Sequence, residues 1–142
     1  MKSAAEIEYV RRAAAILDVA MEACRDSIAD GRTERTVSGD VHHTLLASGS
    51  DIPSSPMNFL TGPRTAFAHG EPTDRVLRAG DFMHIQFGAH YRRYCCTIGR
   101  QLCLGAPAVA RTGTSTASQL SIDLPAPRAR ARASARLAIA VS

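Results

Sequence analysis

The chain has no tryptophan, only seven other aromatic residues and only four cysteines in 142 positions. Cys24, Cys95, Cys96 and Cys103 form no CxxC pair and no zinc spacing, which excludes a disulfide scaffold and a zinc-stapled fold. They read as small apolar fillers in a reducing compartment. No apolar run approaches the length that crosses a bilayer, and Glu6 and Glu8 come too early for a signal peptide. The expected location is therefore the cytoplasm, with no membrane partner. The scarcities are uneven. Residues 106–142 hold no aromatic residue, no His and no Glu, while eleven of them are Ala. Arg111, Arg128, Arg130, Arg132 and Arg136 against Asp123 give that tail the whole net charge of +4. Residues 1–105 are balanced.

What is present begins with two helical patterns. Ser3 and Glu6 make a capping box, and Ile7, Val10, Ala14, Leu17, Met21, Cys24 and Ile28 recur at helical steps until Gly31. Arg11, Arg12, Glu22, Arg25 and Asp26 fall off that stripe, as a solvated face requires. A second helix is expected from about Thr33, with Val37, Val41 and Leu45 on one side and a stop at Gly49. His42 and His43 are adjacent, so on a helix they diverge by about 100° and cannot chelate one ion together; both are expected in solvent. Gly49 to Gly62 is rich in Ser and Pro and reads as a connection ending in Asn58-Phe59-Leu60.

A hairpin follows. Arg78-Ala79-Gly80-Asp81 leads into an alternating strand from Phe82 to Phe87, then a Gly88-Ala89-His90 connection and a second strand from near Tyr91. In that arrangement Gln86 and Thr97 face each other, and His84 shares the face of Gln86. Arg92 and Arg93, as strand neighbours, would point opposite ways.

His69 is followed by Gln86 and Thr97 at offsets of 17 and 11, with Ile98-Gly99-Arg100 immediately after. These residues resemble the pita-bread hydrolase family of methionine aminopeptidase, prolidase, other Xaa-Pro peptidases and creatinase, whose metal-dependent members carry His, Asp, Asp and Ile-Thr-Arg at those places. The opening run Lys2-Ser3-Ala4-Ala5-Glu6-Ile7-Glu8 through Arg11-Arg12-Ala13-Ala14 is similar to the start of that catalytic domain. The resemblance implies an α/β fold of the α+β kind: the N-terminal half of a pita-bread domain over residues 1–105, two helices followed by an antiparallel hairpin sheet, with a disordered low-complexity tail over 106–142.

The same resemblance locates the chemistry. The two family aspartates are replaced by Gln86 and Thr97, and neutral oxygens cannot offset the charge of paired divalent ions. No dinuclear metal site and no other cofactor is expected. Creatinase resembles the peptidases in fold yet works without metal through a histidine; by position that residue is His69, and histidine as a residue type gives and takes protons near neutrality. His84 could line the same cavity, and Arg92 or Arg93 could clamp a substrate carboxylate. Tyr91-Arg92-Arg93-Tyr94-Cys95-Cys96 looks closer to the creatinase-like and ectoine hydrolase-like branch, with small amide or amidine substrates, than to proline-specific peptidases.

The family's remaining ligands, a His and two Glu, lie in the C-terminal half, and nothing after Gly105 resembles it. The expectation is thus a truncated, inactive relative of enzymes that hydrolyse C–N bonds in peptides or small amides. Half of such a sheet would leave an edge and a face uncovered, which favours self-association. One alternative is an Xaa-Pro metalloaminopeptidase that tolerates the substitutions. Another is a non-catalytic interaction protein whose basic tail holds polyanions weakly, although nucleic acid is not the expected partner. The tail itself reads either as that basic arm or as out-of-frame translation of GC-rich DNA, and the abrupt end of the resemblance favours the latter.

Overall fold

Ser3 caps the first helix with both halves of a capping box: its N–H donates to Glu6 Oε2 at 2.7 Å and its hydroxyl accepts from the Glu6 N–H. The Ser3 N–H and the Tyr94 hydroxyl, which donates to Glu6 Oε1 at 2.8 Å, hold the Glu6 carboxyl down at about 2. In the computed structural model, which describes residues 1–53, 55–105 and, by backbone alone, 137–140, this helix α1 spans Ala4–Ser27. Ile28 ends it, and Gly31 turns the chain at φ 83, a left-handed conformation that glycine adopts without a Cβ clash. Thr33 then caps α2, Glu34–Ala47, by accepting from the Thr36 N–H, and Gly49 at φ 95 follows its end.

The helices pack together on one side of an antiparallel sheet of β1 (Asn58–Thr61), β2 (Phe82–Tyr91), β3 (Tyr94–Leu104) and β4 (Leu137–Ala140), in that spatial order. A short 3-10 helix, Gly62–Ala66, leaves β1. Alternation sets the core: Met83, Ile85, Phe87 and Ala89 of β2 and Leu102 and Leu104 of β3 meet Leu17, Met21 and Cys24 of α1 and Val37, Val41 and Leu45 of α2. Cys96 and Ile98 pack against this cluster, whereas Cys95, one residue away, is exposed on the other face. The four thiols are therefore not all fillers: Cys24 and Cys103 are buried, and Cys95 meets solvent.

Several expectations are corrected. The buried stripe of α1 begins at Ala13, and Ile7 is 41% exposed. The first turns pack instead through Tyr9, whose ring lies 6.0 Å from that of Tyr91 and 5.5 Å from that of Tyr94. The hairpin does not turn at Gly88. Gly88, Ala89 and His90 stay in the ladder opposite Thr97, Cys96 and Cys95, and the turn is Arg92–Arg93 at φ 49 and 67. Two central residues at positive φ match the right-handed twist of the strands. Arg92 offsets that unusual conformation by lying 5.5 Å over the Tyr9 ring and 6.0 Å over the Tyr91 ring, so all three tyrosines of the chain clamp the hairpin tip onto α1. His42 is half-buried, its Nδ1 2.7 Å from the Ser38 carbonyl, while His43 is exposed.

Leu137–Ala140 pair with Gln101–Leu104, where the edge of β3 offers free ladder groups to a short apolar segment. The rest of the tail, and its reading as a frameshift product, lie outside the described residues.

A polar joint holds the 71–81 segment to α2 and β1. Glu34 is 0% exposed; its Oε1 accepts from the Thr61 N–H (3.1 Å) and hydroxyl (2.7 Å), and its Oε2 from the Thr73 N–H (2.9 Å), the Thr73 hydroxyl (2.7 Å) and Arg64. The Thr61 hydroxyl in turn accepts from Arg75 Nη1 at 2.6 Å, and Arg75 pairs with Asp81 at 2.7 Å. Removing one partner of a buried ion pair leaves the others uncompensated, so Glu34→Ala should lower the unfolding free energy by about 3–5 kcal/mol, read by urea denaturation. Burial raises the Asp81 carboxyl, but the Arg75 guanidinium and the Arg78 N–H outweigh it and its pKa lies below the ordinary value. Such a group stabilises the fold above its unfolded pKa of about 4 and loses that contribution as pH falls through its lowered folded value. The melting temperature should accordingly drop below about pH 4, and Asp81→Asn should flatten the drop.

Candidate functional site

The sheet face turned away from the helices carries the residues of interest. His84, Gln86, Gly88 and His90 of β2 share it with Cys95, Thr97, Gly99 and Gln101 of β3. The register corrects one expectation: Gln86 is paired with Gly99, and Thr97 with Gly88. Gln86 and Thr97 are diagonal neighbours about 7 Å apart at Cβ, not a facing pair. The four positions make a block with two polar side chains on one diagonal and two glycines on the other. Each glycine faces a polar residue across the strands, so nothing larger than hydrogen stands opposite either one.

His69 is exposed, in the loop between the 3-10 helix and β2. Its neighbour Gly70 docks that loop on β1: the Gly70 N–H donates to Asn58 Oδ1 at 3.0 Å, and its carbonyl accepts from the Phe59 N–H at 3.1 Å. A Cβ at Gly70 would come within 2.5 Å of Leu60 Cδ2, so glycine is required for this close approach. Asn58 is paired with Gln86 in the β1–β2 ladder, and its Nδ2 donates to Gln86 Oε1 across 3.5 Å. Asn58 thus links the His69 loop to Gln86, a link that sequence reading missed because Asn58 looked like the polar start of an apolar strand. The far side of the loop is fixed by Arg64, whose Nη2 donates to the Glu71 carbonyl at 2.9 Å while Nη1 meets Glu34 and the Thr73 hydroxyl.

The other expected substrate contacts separate. His84 lies on the same face as Gln86, beside Leu60 of β1. Arg92 and Arg93 lie beyond Tyr91, which at 3.3 Å per residue is about 23 Å along β2 from His84. One small ligand cannot touch both ends, and Arg92 is already engaged with Tyr9, its Nη1 3.4 Å from the Tyr9 hydroxyl. Among the described residues no three His, Cys, Asp or Glu side chains come together closely enough to hold an ion. No helix among them is long and apolar enough to cross a membrane.

Two helices over an antiparallel sheet find counterparts among known proteins. The sequence matches the model of metallopeptidase family M24 over residues 8–138. The chain belongs to that family. Its described fold is the N-terminal part of the family's pita-bread domain. It is 32% identical over 107 residues to the Xaa-Pro dipeptidase of Pyrococcus furiosus, and 31% identical over 108 residues to the uncharacterized peptidase YqhT of Bacillus subtilis. These alignments take in 75% and 76% of this chain and 31% of each relative, so the chain spans about a third of their length. Among solved structures, an X-Pro aminopeptidase from Thermotoga maritima superposes with TM-score 0.71 at 31% identity, over 75% of this chain and 30% of that one. An Xaa-Pro dipeptidase from Bacillus anthracis gives TM-score 0.73 at 32% identity, over 76% and 30%. The family match runs past Gly105, where the resemblance was expected to stop.

The role of Asn58 can be checked by amide exchange. Asn58→Ala leaves the Gly70 N–H without an acceptor, so its exchange should accelerate by about tenfold or more while the core of β2 keeps its protection.

Proposed function

We propose that this chain is a metal-independent member of family M24, without dipeptidase activity of its own, in which His69 is the proton-transferring residue of a partial site. The observation that carries the reading is the neutral pair on the open face, Gln86 and Thr97. The metal-dependent enzymes that this stretch resembles carry aspartates at the corresponding spacing. An amide oxygen and a hydroxyl supply no charge to balance paired divalent ions, so the residues present do not fit that group. The Gln86 oxygen is in addition already used by Asn58.

His69 suits proton transfer because it is exposed beside a loop held on both sides, by Gly70 on β1 and by Glu71 on Arg64. A lone acid or base accelerates little without groups that orient the substrate and stabilise developing charge. The relatives named as Xaa-Pro dipeptidases and aminopeptidase direct attention to a peptide or a small amide as the molecule this face would meet. A creatinase-like rather than a proline-specific relationship accords with the neutral pair.

Metal analysis and assay on one preparation test this. After incubation with Mn2+ or Co2+ and gel filtration, the protein should retain far less than one equivalent of metal and show no cleavage of an Xaa-Pro dipeptide. The double variant Gln86→Asp/Thr97→Asp should bind Mn2+ at least about tenfold more tightly than the unmodified chain. Near-stoichiometric metal with dipeptidase activity in the unmodified protein would establish the metallopeptidase reading instead.

A further inference from the structure

The hydrogen bonds around Gln86 decide which end of its amide meets solvent. The Gly70 N–H can only donate, so the Asn58 atom 3.0 Å from it is an acceptor, the carbonyl oxygen. The amino end of Asn58 therefore faces Gln86, and the atom it meets at 3.5 Å is Oε1. That leaves Gln86 Nε2, with two N–H groups, on the side away from Asn58. The residue paired with Gln86 on β3 is Gly99, which is exposed, and a Cβ placed there would lie 3.8 Å from the Ile85 carbonyl oxygen and 4.0 Å from Gln86 Cγ, so it would stand against the Gln86 side chain without clashing. Thr97, the next residue on that face, is exposed and can turn its hydroxyl proton in the same direction. The chain of orientation thus runs from a backbone N–H through Asn58 to Gln86, which is half-buried, and it ends in a donor.

We propose that the block formed by Gln86, Thr97, Gly88 and Gly99 binds a ligand carboxylate, so that the position expected to hold a cation presents hydrogen-bond donors to an anion. Gly99 is exposed and leaves a gap in the side chains beside Gln86, Gly88 is buried and contributes only backbone, and the two polar groups stand on the diagonal between them. A small carboxylate lies across it, one oxygen on the Gln86 Nε2–H and the other on the Thr97 hydroxyl. Hydrogen bonds to a charged acceptor are about twice as strong as neutral ones. A cation has no such welcome, since the Gln86 oxygen is taken and its amino group is repulsive. The fitting ligand class is the carboxylate of an amino acid or short peptide. The proposal deepens the metal-independent reading and rests on it, because a cation held by Gln86 and Thr97 would need their oxygens, and a carboxylate needs their donors.

The test uses the full chain labelled with 15N and two titrations. Sodium acetate, against sodium chloride at equal ionic strength, should shift the Gln86 side-chain Nε2 pair and the Thr97 amide in a saturable way. Gln86→Met, which keeps the length and removes the donor, should weaken the acetate response at Thr97 by about tenfold or more. Asn58→Asp, which still accepts from Gly70 but no longer donates to Gln86, should weaken it as well, and it serves should the first variant not fold. An equal response to chloride, or an acetate response unchanged in these variants, would overturn the proposal. MnCl2 separates its failure from that of the underlying reading. Broadening of Gln86 and Thr97 by Mn2+ in the unmodified protein defeats the metal-independent reading, whereas no acetate shift and no broadening defeats the carboxylate site alone.

Discussion

The Glu34 carboxylate has no contact with water, and five donors meet its two oxygens. Burying an ionised carboxylate costs several kcal/mol unless its lone pairs are all satisfied and a counter-charge is near. Both conditions are fulfilled only if four separate pieces of chain arrive together: the first turn of α2, the end of β1, Arg64 of the 3-10 helix, and Thr73. The two threonine hydroxyls carry the constraint onward, since each donates to Glu34 and accepts from an arginine. Through Arg75 it reaches Asp81, at the entry to β2. A single buried charge thus sets where the sheet begins relative to the helices, and where the loop carrying His69 leaves and returns.

That loop packs on Leu60, which is fully buried on the same face as His84, whereas the main hydrophobic cluster lies on the other side of the sheet. Phe87, Ile85 and Met83 would pack against α1 and α2 whatever the open face carried, because alternation separates the two faces of a strand. The fold can therefore tolerate Gln86 and Thr97 in place of charged residues with no loss of packing. The main core is set by the helix-facing residues alone, and the residues of the other face make no part of it.

Much of this was legible in the sequence. The capping box, Gly31 and the 3.6-residue apolar rhythm place both helices to within a residue or two, because these are local signals with local causes. The spaced His69, Gln86 and Thr97 gave the family and the face on which the last two lie. Three things were not legible. The hairpin turn was sought at Gly88, where glycine suggests a break, whereas the ladder runs on to Arg92–Arg93; their left-handed backbone is held by stacking on Tyr9, eighty-odd positions earlier. Glu34 carries no local signal of its burial, since the groups that satisfy it, on Thr61, Arg64 and Thr73, are 27 to 39 positions away. Asn58 gave no sign of its role, since both groups it joins, the Gly70 N–H and the Gln86 amide, come from elsewhere in the chain.

Asn58 is also where stability and chemistry meet. The loop that Glu34 and Arg64 secure returns to the sheet at Gly70, and the donor it presents there is a backbone N–H, which no substitution except proline can remove. An asparagine beside it has one satisfactory orientation, and a glutamine beside that has one as well. The polarity of the open face is therefore inherited from the fold, two amides removed from a main-chain group. An aspartate at 86 would be one methylene shorter and would end in two charged acceptor oxygens. Gln86 is long enough to meet the Asn58 nitrogen with its oxygen, and its other terminal atom is a nitrogen that can only donate. The exchange thus removes the negative charge that a cation would need and puts a donor in place of an acceptor, while the bonds from Gly70 to Asn58 that fix the orientation stay as they are.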